Sequence, residues 1–198
     1  MSAIELLTGE HRVIRQVLAC LTHLADRCAA GTALDLISAL RALDLLRHFV
    51  HGCHQEKEER LLFPLLEARG FLPDEGPLAV LRAEHAQARR HLRALGATVE
   101  LAGIGEPGAR ERFVASAWAY ASLTRNHARK EDCLLFPVAG RLLSRSDQDQ
   151  LLDAFSSLED EGGEGAYERY LAEADALAGR CASHRLAAEL CFEPARNG

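Results

Sequence analysis

The sequence predicts an all-α protein: an up-down-up-down four-helix bundle followed by two additional C-terminal helices. Three observations predict it. Leu, Ala, Glu and Arg dominate while runs of β-branched residues are nearly absent, a composition that favours helix. Gly and Pro gather at a few points and cut the chain into segments of helical length. An eleven-residue phrase also recurs, HQEKEERLLFP at 54–64 and HARKEDCLLFP at 127–137, identical at seven positions and 73 residues apart.

The elements follow in order. Ser2 is placed to cap a first helix that runs to about Cys28 and ends at Ala30-Gly31. Thr32 is read as the cap of a long second helix over about 33–69, closed by Gly70. The connector Gly70-Phe-Leu-Pro-Asp-Glu-Gly-Pro77 leads to a third helix over about 78–102. Gly103 to Gly108 is the next break, and a fourth helix covers about 109–143. Pro64 and Pro137 fall near the ends of the second and fourth helices, where each removes a backbone hydrogen bond and should kink or loosen the last turns. Shorter helices at about 147–160 and 165–190 complete the chain. Residues 1–144 are therefore expected to form the bundle, and 145–198 a helical extension packed on it.

With 198 residues the chain can bury a real core, and its 48% hydrophobic and 26% charged residues are those of an ordinary globular protein. The net charge of −6 and the lack of a basic patch argue against nucleic acid or an anionic membrane as partner. The N-terminus carries no secretory pattern and no stretch is long and apolar enough to span a bilayer, so a cytoplasmic location is expected. None of the six cysteines forms a Cys-x-x-Cys pair, and all are read as reduced, mostly buried thiols. Cys53 and Cys133 lie near the repeated phrases, the second within its copy, and are the two to watch for redox coupling.

The repeat carries the chemistry. His54/Glu58 and His127/Glu131 are each four residues apart, so imidazole and carboxylate share one helix face. One such pair alone is commonly a solvated surface pair. Two copies in register, each followed by Leu-Leu-Phe-Pro, are not easily surface decoration. The repeat extends to Glu10-His11 and Glu84-His85, offset by 74 residues, as duplication of a helical hairpin would give. His11, His54, Glu58, His85, His127 and Glu131 are then six candidate ligands from four helices. Structural zinc prefers thiolate-rich sets, and calcium and magnesium prefer oxygen. Mixed imidazole and carboxylate suits iron or manganese. If Glu58 and Glu131 both bridge, each of two metals keeps two histidines, with positions left for an oxo or hydroxo bridge and a small diatomic ligand or peroxide.

His51 lies on the same face and is read as either a neighbour of the ligands or a fifth histidine ligand; its repeat counterpart is Thr124. Glu59, Asp132, Glu10 and Glu84 are read first as solvated charges and second as groups that orient the histidines. His48 is read as structural, and His23, His91 and His184 as ordinary polar residues. Phe49, Phe113, Trp118 and Tyr120 are assigned to the core.

These residues resemble the hemerythrin-like, or HHE cation-binding, family of di-iron four-helix bundles. The resemblance rests on Glu10-His11, on the run from His51 to Pro64, on Glu84-His85 and on 127–137, and it covers about residues 3–143. The stretch from Phe155 to Tyr170 is similar to a C-terminal extension of bacterial members. The classical oxygen carriers of the family use five histidines, including His-x-x-x-His on the third helix. Here Leu81 and Arg89 flank His85 at that spacing, and both bridging equivalents are Glu. The four-His, two-Glu set is instead similar to bacterial di-iron proteins of nitrosative and oxidative stress. The resemblance implies two non-heme iron ions, with manganese as the other metal, and a protein that binds or responds to O2, NO or peroxide in sensing, scavenging or iron handling. The alternative is an enzyme at the same centre: a ferroxidase, a peroxidase, an NO-reducing activity, or repair of iron centres. A protein partner is not identified by the sequence.

Overall fold

A computed structural model describes the backbone of residues 1–163 and 165–190, and the side chains of these up to residue 182. The readings of His184 and Cys191 lie outside the described residues. Six helices are present among the described residues. Helix α1 (Ala3–Ala29) opens with a reciprocal cap in which the Ser2 hydroxyl accepts from the Glu5 N–H and the Glu5 carboxylate accepts from the Ser2 N–H. Helix α2 spans 36–68, α3 is Gly76–Gly103, and α4 spans 109–142. Helices α5 (Arg145–Glu161) and α6 (Ala166–Leu190) follow, the first capped by Ser144 and Asp147 in the same reciprocal way.

One boundary differs from expectation. Thr32 does not cap α2; its N–H reaches back to the Arg27 carbonyl at 2.9 Å and closes α1, with Gly31 at φ 87. Asp35 caps α2 instead, its carboxylate accepting from the Ser38 N–H at 3.1 Å and the Ser38 hydroxyl at 2.6 Å.

The two phrase prolines do more than loosen a helix end. Each follows a π turn, Glu58–Leu62 before Phe63-Pro64 and Glu131–Leu135 before Phe136-Pro137. Proline has no N–H, and its ring crowds the carbonyl four residues back. The wider turn relieves this: the Phe63 N–H bonds the Glu58 carbonyl, and the Phe136 N–H bonds that of Glu131. A further π stretch, Leu46–His54, occurs in α2 alone among the helices of the bundle.

Two apolar clusters fill the interior. One contains Leu7, Phe63, Leu81 and Phe136; the other contains Leu18, Phe49, Leu95 and Tyr120. Helices α1 and α3 pass from the first cluster to the second, while α2 and α4 pass the other way, which is the up-down-up-down order. Helix α6 packs on α1 and α2, and α5 on α1 and the Glu58–Leu62 turn. No described helix is long and apolar enough to cross a membrane.

Phe49, Phe113 and Tyr120 are buried as expected, but Trp118 is 46% exposed. It sits on the outer face of α4 with its indole N–H donating to Asp26 at 2.8 Å, a polar partner the core does not offer.

Candidate metal centre

Each bundle helix crosses the plane between the two apolar clusters once, and there each presents a histidine: His11, His54, His85 and His127. With Glu58 and Glu131 they are all buried. Their donor atoms form two interlocking groups. His11 and His54 stand with Glu58 and Glu131, and His85 and His127 stand with the same two carboxylates. Within each group the donor atoms lie within 4.8 Å of one another. The structure thus brings together all six residues that the repeat singled out, with Glu58 and Glu131 common to both groups.

The polar atoms here are poorly served by protein partners alone. Both oxygens of Glu58, both of Glu131 and His11 Nε2 are buried without a well-aligned hydrogen bond. The Nε2 atoms approach the carboxylates at 3.2 Å (His11–Glu131), 3.6 Å (His54–Glu58), 3.3 Å (His85–Glu58) and 3.0 Å (His127–Glu131). Unpaired buried carboxylates are costly, so a cluster of such atoms calls for a cation. Four imidazoles and two carboxylates fit a pair of first-row transition-metal ions.

The opposite ring nitrogens are all taken. His54 Nδ1 is 2.7 Å from Glu10, His85 Nδ1 2.7 Å from Glu59, His11 Nδ1 2.7 Å from Asp132, and His127 Nδ1 3.0 Å from Glu84. A carboxylate behind each histidine fixes its tautomer, so that Nδ1 carries the proton and Nε2 faces the centre. The reading of Glu10, Glu84, Glu59 and Asp132 as solvated charges is therefore corrected: each is aimed at a ring. Phe63 and Phe136 stack on His85 and His11, with ring centroids 6.0 and 5.3 Å apart.

In the metal-free chain this network holds protons. Burial lowers the tendency of His11 to be charged, but the hydrogen bond to Asp132 and the nearby Glu131 carboxylate outweigh it and raise the ring to about 9. His85 is likewise raised to about 9 against its burial by Glu58 and Glu59. Burial works against the charge of Glu59, yet His85 and Arg89 hold it down at about 2. Glu131 is held below the usual carboxylate range despite burial, chiefly by His127 and His11.

His51 stands outside both groups. Its Nδ1 donates to Gln55 at 2.5 Å and its Nε2 accepts from the Tyr120 hydroxyl at 3.0 Å, while burial pushes the ring down to about 4. No disulfide forms among the described residues. Cys53 is buried, which raises its thiol to about 12, whereas Cys133 is the exposed exception among the mostly buried described cysteines.

Sequence reasoning missed Lys57. It is fully buried, bonded to Glu10, 2.5 Å from Glu159 of α5, and lies 4.7 Å from the Tyr167 ring centroid. Its identity with Lys130 in the repeat was the available signal.

A four-helix bundle that sets four histidines around two shared carboxylates is a metal-binding bundle. The sequence profile of the hemerythrin HHE cation-binding domain matches residues 2–139, and the chain belongs to that family. It is 28% identical over 160 residues to uncharacterized proteins of Mycobacterium tuberculosis and Mycobacterium bovis, the match covering 80% of this chain. The matched segment spans 62% of the length of those relatives. No solved structure matches the chain.

Proposed function

We propose that His11 and His54 hold one metal ion, His85 and His127 a second, and that Glu58 and Glu131 bridge them. We further propose that the ions are iron and that the protein binds or responds to O2, NO or peroxide. The observation that carries this reading is the pair of donor groups sharing two buried carboxylates. Bound iron would supply one-electron chemistry and an affinity for small oxygen- and nitrogen-containing ligands. The chain's own contribution is orientation and exclusion. Glu10, Glu59, Glu84 and Asp132 lock the four rings, and the apolar clusters on either side keep bulk water and large molecules out. A site this buried admits a diatomic molecule or peroxide far more readily than an organic substrate.

The test is metal content and spectra. Tag-free protein reconstituted with ferrous iron is expected to hold about two iron ions per chain, as the two-site donor set requires. Fewer than about one per chain would overturn the assignment. Spectra of the reduced protein before and after O2 and NO then read its reactivity. NO binding with slow reoxidation supports a responder, and fast reoxidation supports an enzyme such as a ferroxidase. Glu58→Ala and Glu131→Ala should each lose one or both metals; full metal content in both would refute bridging.

A further inference from the structure

The two donor groups have the same ligands but different electrostatic surroundings. Behind His54, Glu10 bonds Lys57, and Lys57 is shared with a second carboxylate, Glu159 of α5. The cluster of Glu10, Lys57 and Glu159 carries one net negative charge. Phe155 and Tyr167 cover it, with their ring centroids 5.6 and 4.7 Å from the Lys57 amine. Behind His127, Glu84 bonds Lys130, which is 42% exposed, and among the described residues α5 and α6 supply no second carboxylate to it. That pair is neutral, and its lysine is open to water. Glu10 and Lys57 are fully buried, so their charges act at lower effective dielectric and are less screened than that of Lys130. The partners of Glu59 and Asp132 do not cancel the difference, because each faces one half-exposed arginine, Arg89 or Arg15.

We infer that Glu159, acting through Lys57 and Glu10, makes the two metal positions unequal, so that the His11/His54 position binds the first metal ion and binds it more tightly. The inference rests on the two-metal reading above. Its consequence is a centre with a fixed polarity: one ion retained, the other, at His85/His127, exchangeable and nearer the open side. Glu159 is a positioning residue in this scheme and touches no metal.

Cobalt(II) is a suitable probe, and anomalous diffraction from crystals of the full chain holding one cobalt per chain locates it. The His11/His54 position should outweigh the other by about tenfold, the usual size of an effect relayed through a histidine's hydrogen-bond partner. Glu159→Gln neutralises the extra charge while keeping shape and hydrogen bonding, and should bring the occupancy ratio toward one. Lys130→Gln gives the other side its own unbalanced carboxylate and should also lower the ratio, by strengthening the weaker position. Equal cobalt occupancy in the wild-type chain, or an unchanged ratio in Glu159→Gln, would overturn the inference while leaving the two-metal reading intact. Failure to bind a second cobalt at excess metal would overturn both. Circular dichroism of the two variants checks that α5 and α6 remain folded, and the opposite sites at which they act separate a charge effect from a structural one.

Discussion

Lys57 and Lys130 occupy the same place in the two copies of the repeated phrase, and each bonds the carboxylate behind a histidine of its own copy. Lys57 is sealed under α5 and α6, whereas Lys130 borders an open groove with Glu84, Asn126 and Cys133. The same contrast continues along the helices. Leu61 and Leu65 of α2 pack against the apolar cluster that α5 joins, while their counterparts Leu134 and Val138 are exposed. The repeat thus holds on the inward face of each hairpin, while the outward face follows whatever covers it. The interior remains near-symmetric, and the C-terminal helices are where the symmetry breaks.

The strongest way to break this comparison is Lys57→Met against Lys130→Met. The first leaves the buried Glu10 and the partly buried Glu159 without their cation and should destabilise the chain by about 3 kcal/mol or more. The second removes a lysine that is 42% exposed and should change stability by less than about 1 kcal/mol. Chemical denaturation of both variants reads the difference, and equal effects would mean that the cover of α5 is not tight in solution. Next in size, Glu10→Gln and Glu84→Gln should each weaken metal binding about 10- to 100-fold, because each releases a ring from its fixed tautomer. Competition against a chelator measures this, with the larger loss expected for Glu10.

A third test treats the halves as equal. His11 and His85, one in each donor group, are both raised to about 9 and must lose a proton to ligate. Metal affinity at each position should rise about tenfold per pH unit up to about 9 and then level off. The metal-free fold should run the opposite way. A raised histidine contributes stability that is full below its ordinary value near 6.5 and is lost as pH climbs through 9. Thermal melts of metal-free and metal-loaded protein at pH 6 to 10 would show whether the two trends diverge. The smallest effect concerns thiols. Cys133 should react quickly with a soluble disulfide reagent in the folded protein and Cys53 should not, so Cys133→Ser removes one fast-reacting thiol from the count without altering stability.

The bundle and the six inward residues were legible because duplication wrote them twice, at one offset. His54, Glu58, His127 and Glu131 share a helix face by spacing alone, and His11 and His85 follow from the same offset. What spacing could not give was burial. Glu10, Glu59, Glu84 and Asp132 look like solvated charges in the sequence, since only packing shows which of them stands behind a ring. Lys57 was missed for the same reason: nothing local distinguishes it from Lys130, and what buries it lies about a hundred residues further on, in Phe155, Glu159 and Tyr167. Thr32 failed as a cap because its N–H was already committed to α1, and Trp118 failed as core because its helix face points outward.

The π turns have a consequence for phase. Nine steps of a regular α-helix separate His54 from Phe63, which at about 100° each would put the phenylalanine on the opposite side of the cylinder. The wider turn carries one surplus residue around the same arc, so Phe63 comes back inward to stack on His85, and Phe136 on His11. Each copy is therefore one letter longer than its geometry needs, and the turns keep Arg60 and Cys133 on the outside. Deleting either should return that turn to ordinary winding with the aromatic lid still in place. A redesign that copied the eleven letters onto an ideal helix would keep the histidine–glutamate spacing and lose the stacked phenylalanine.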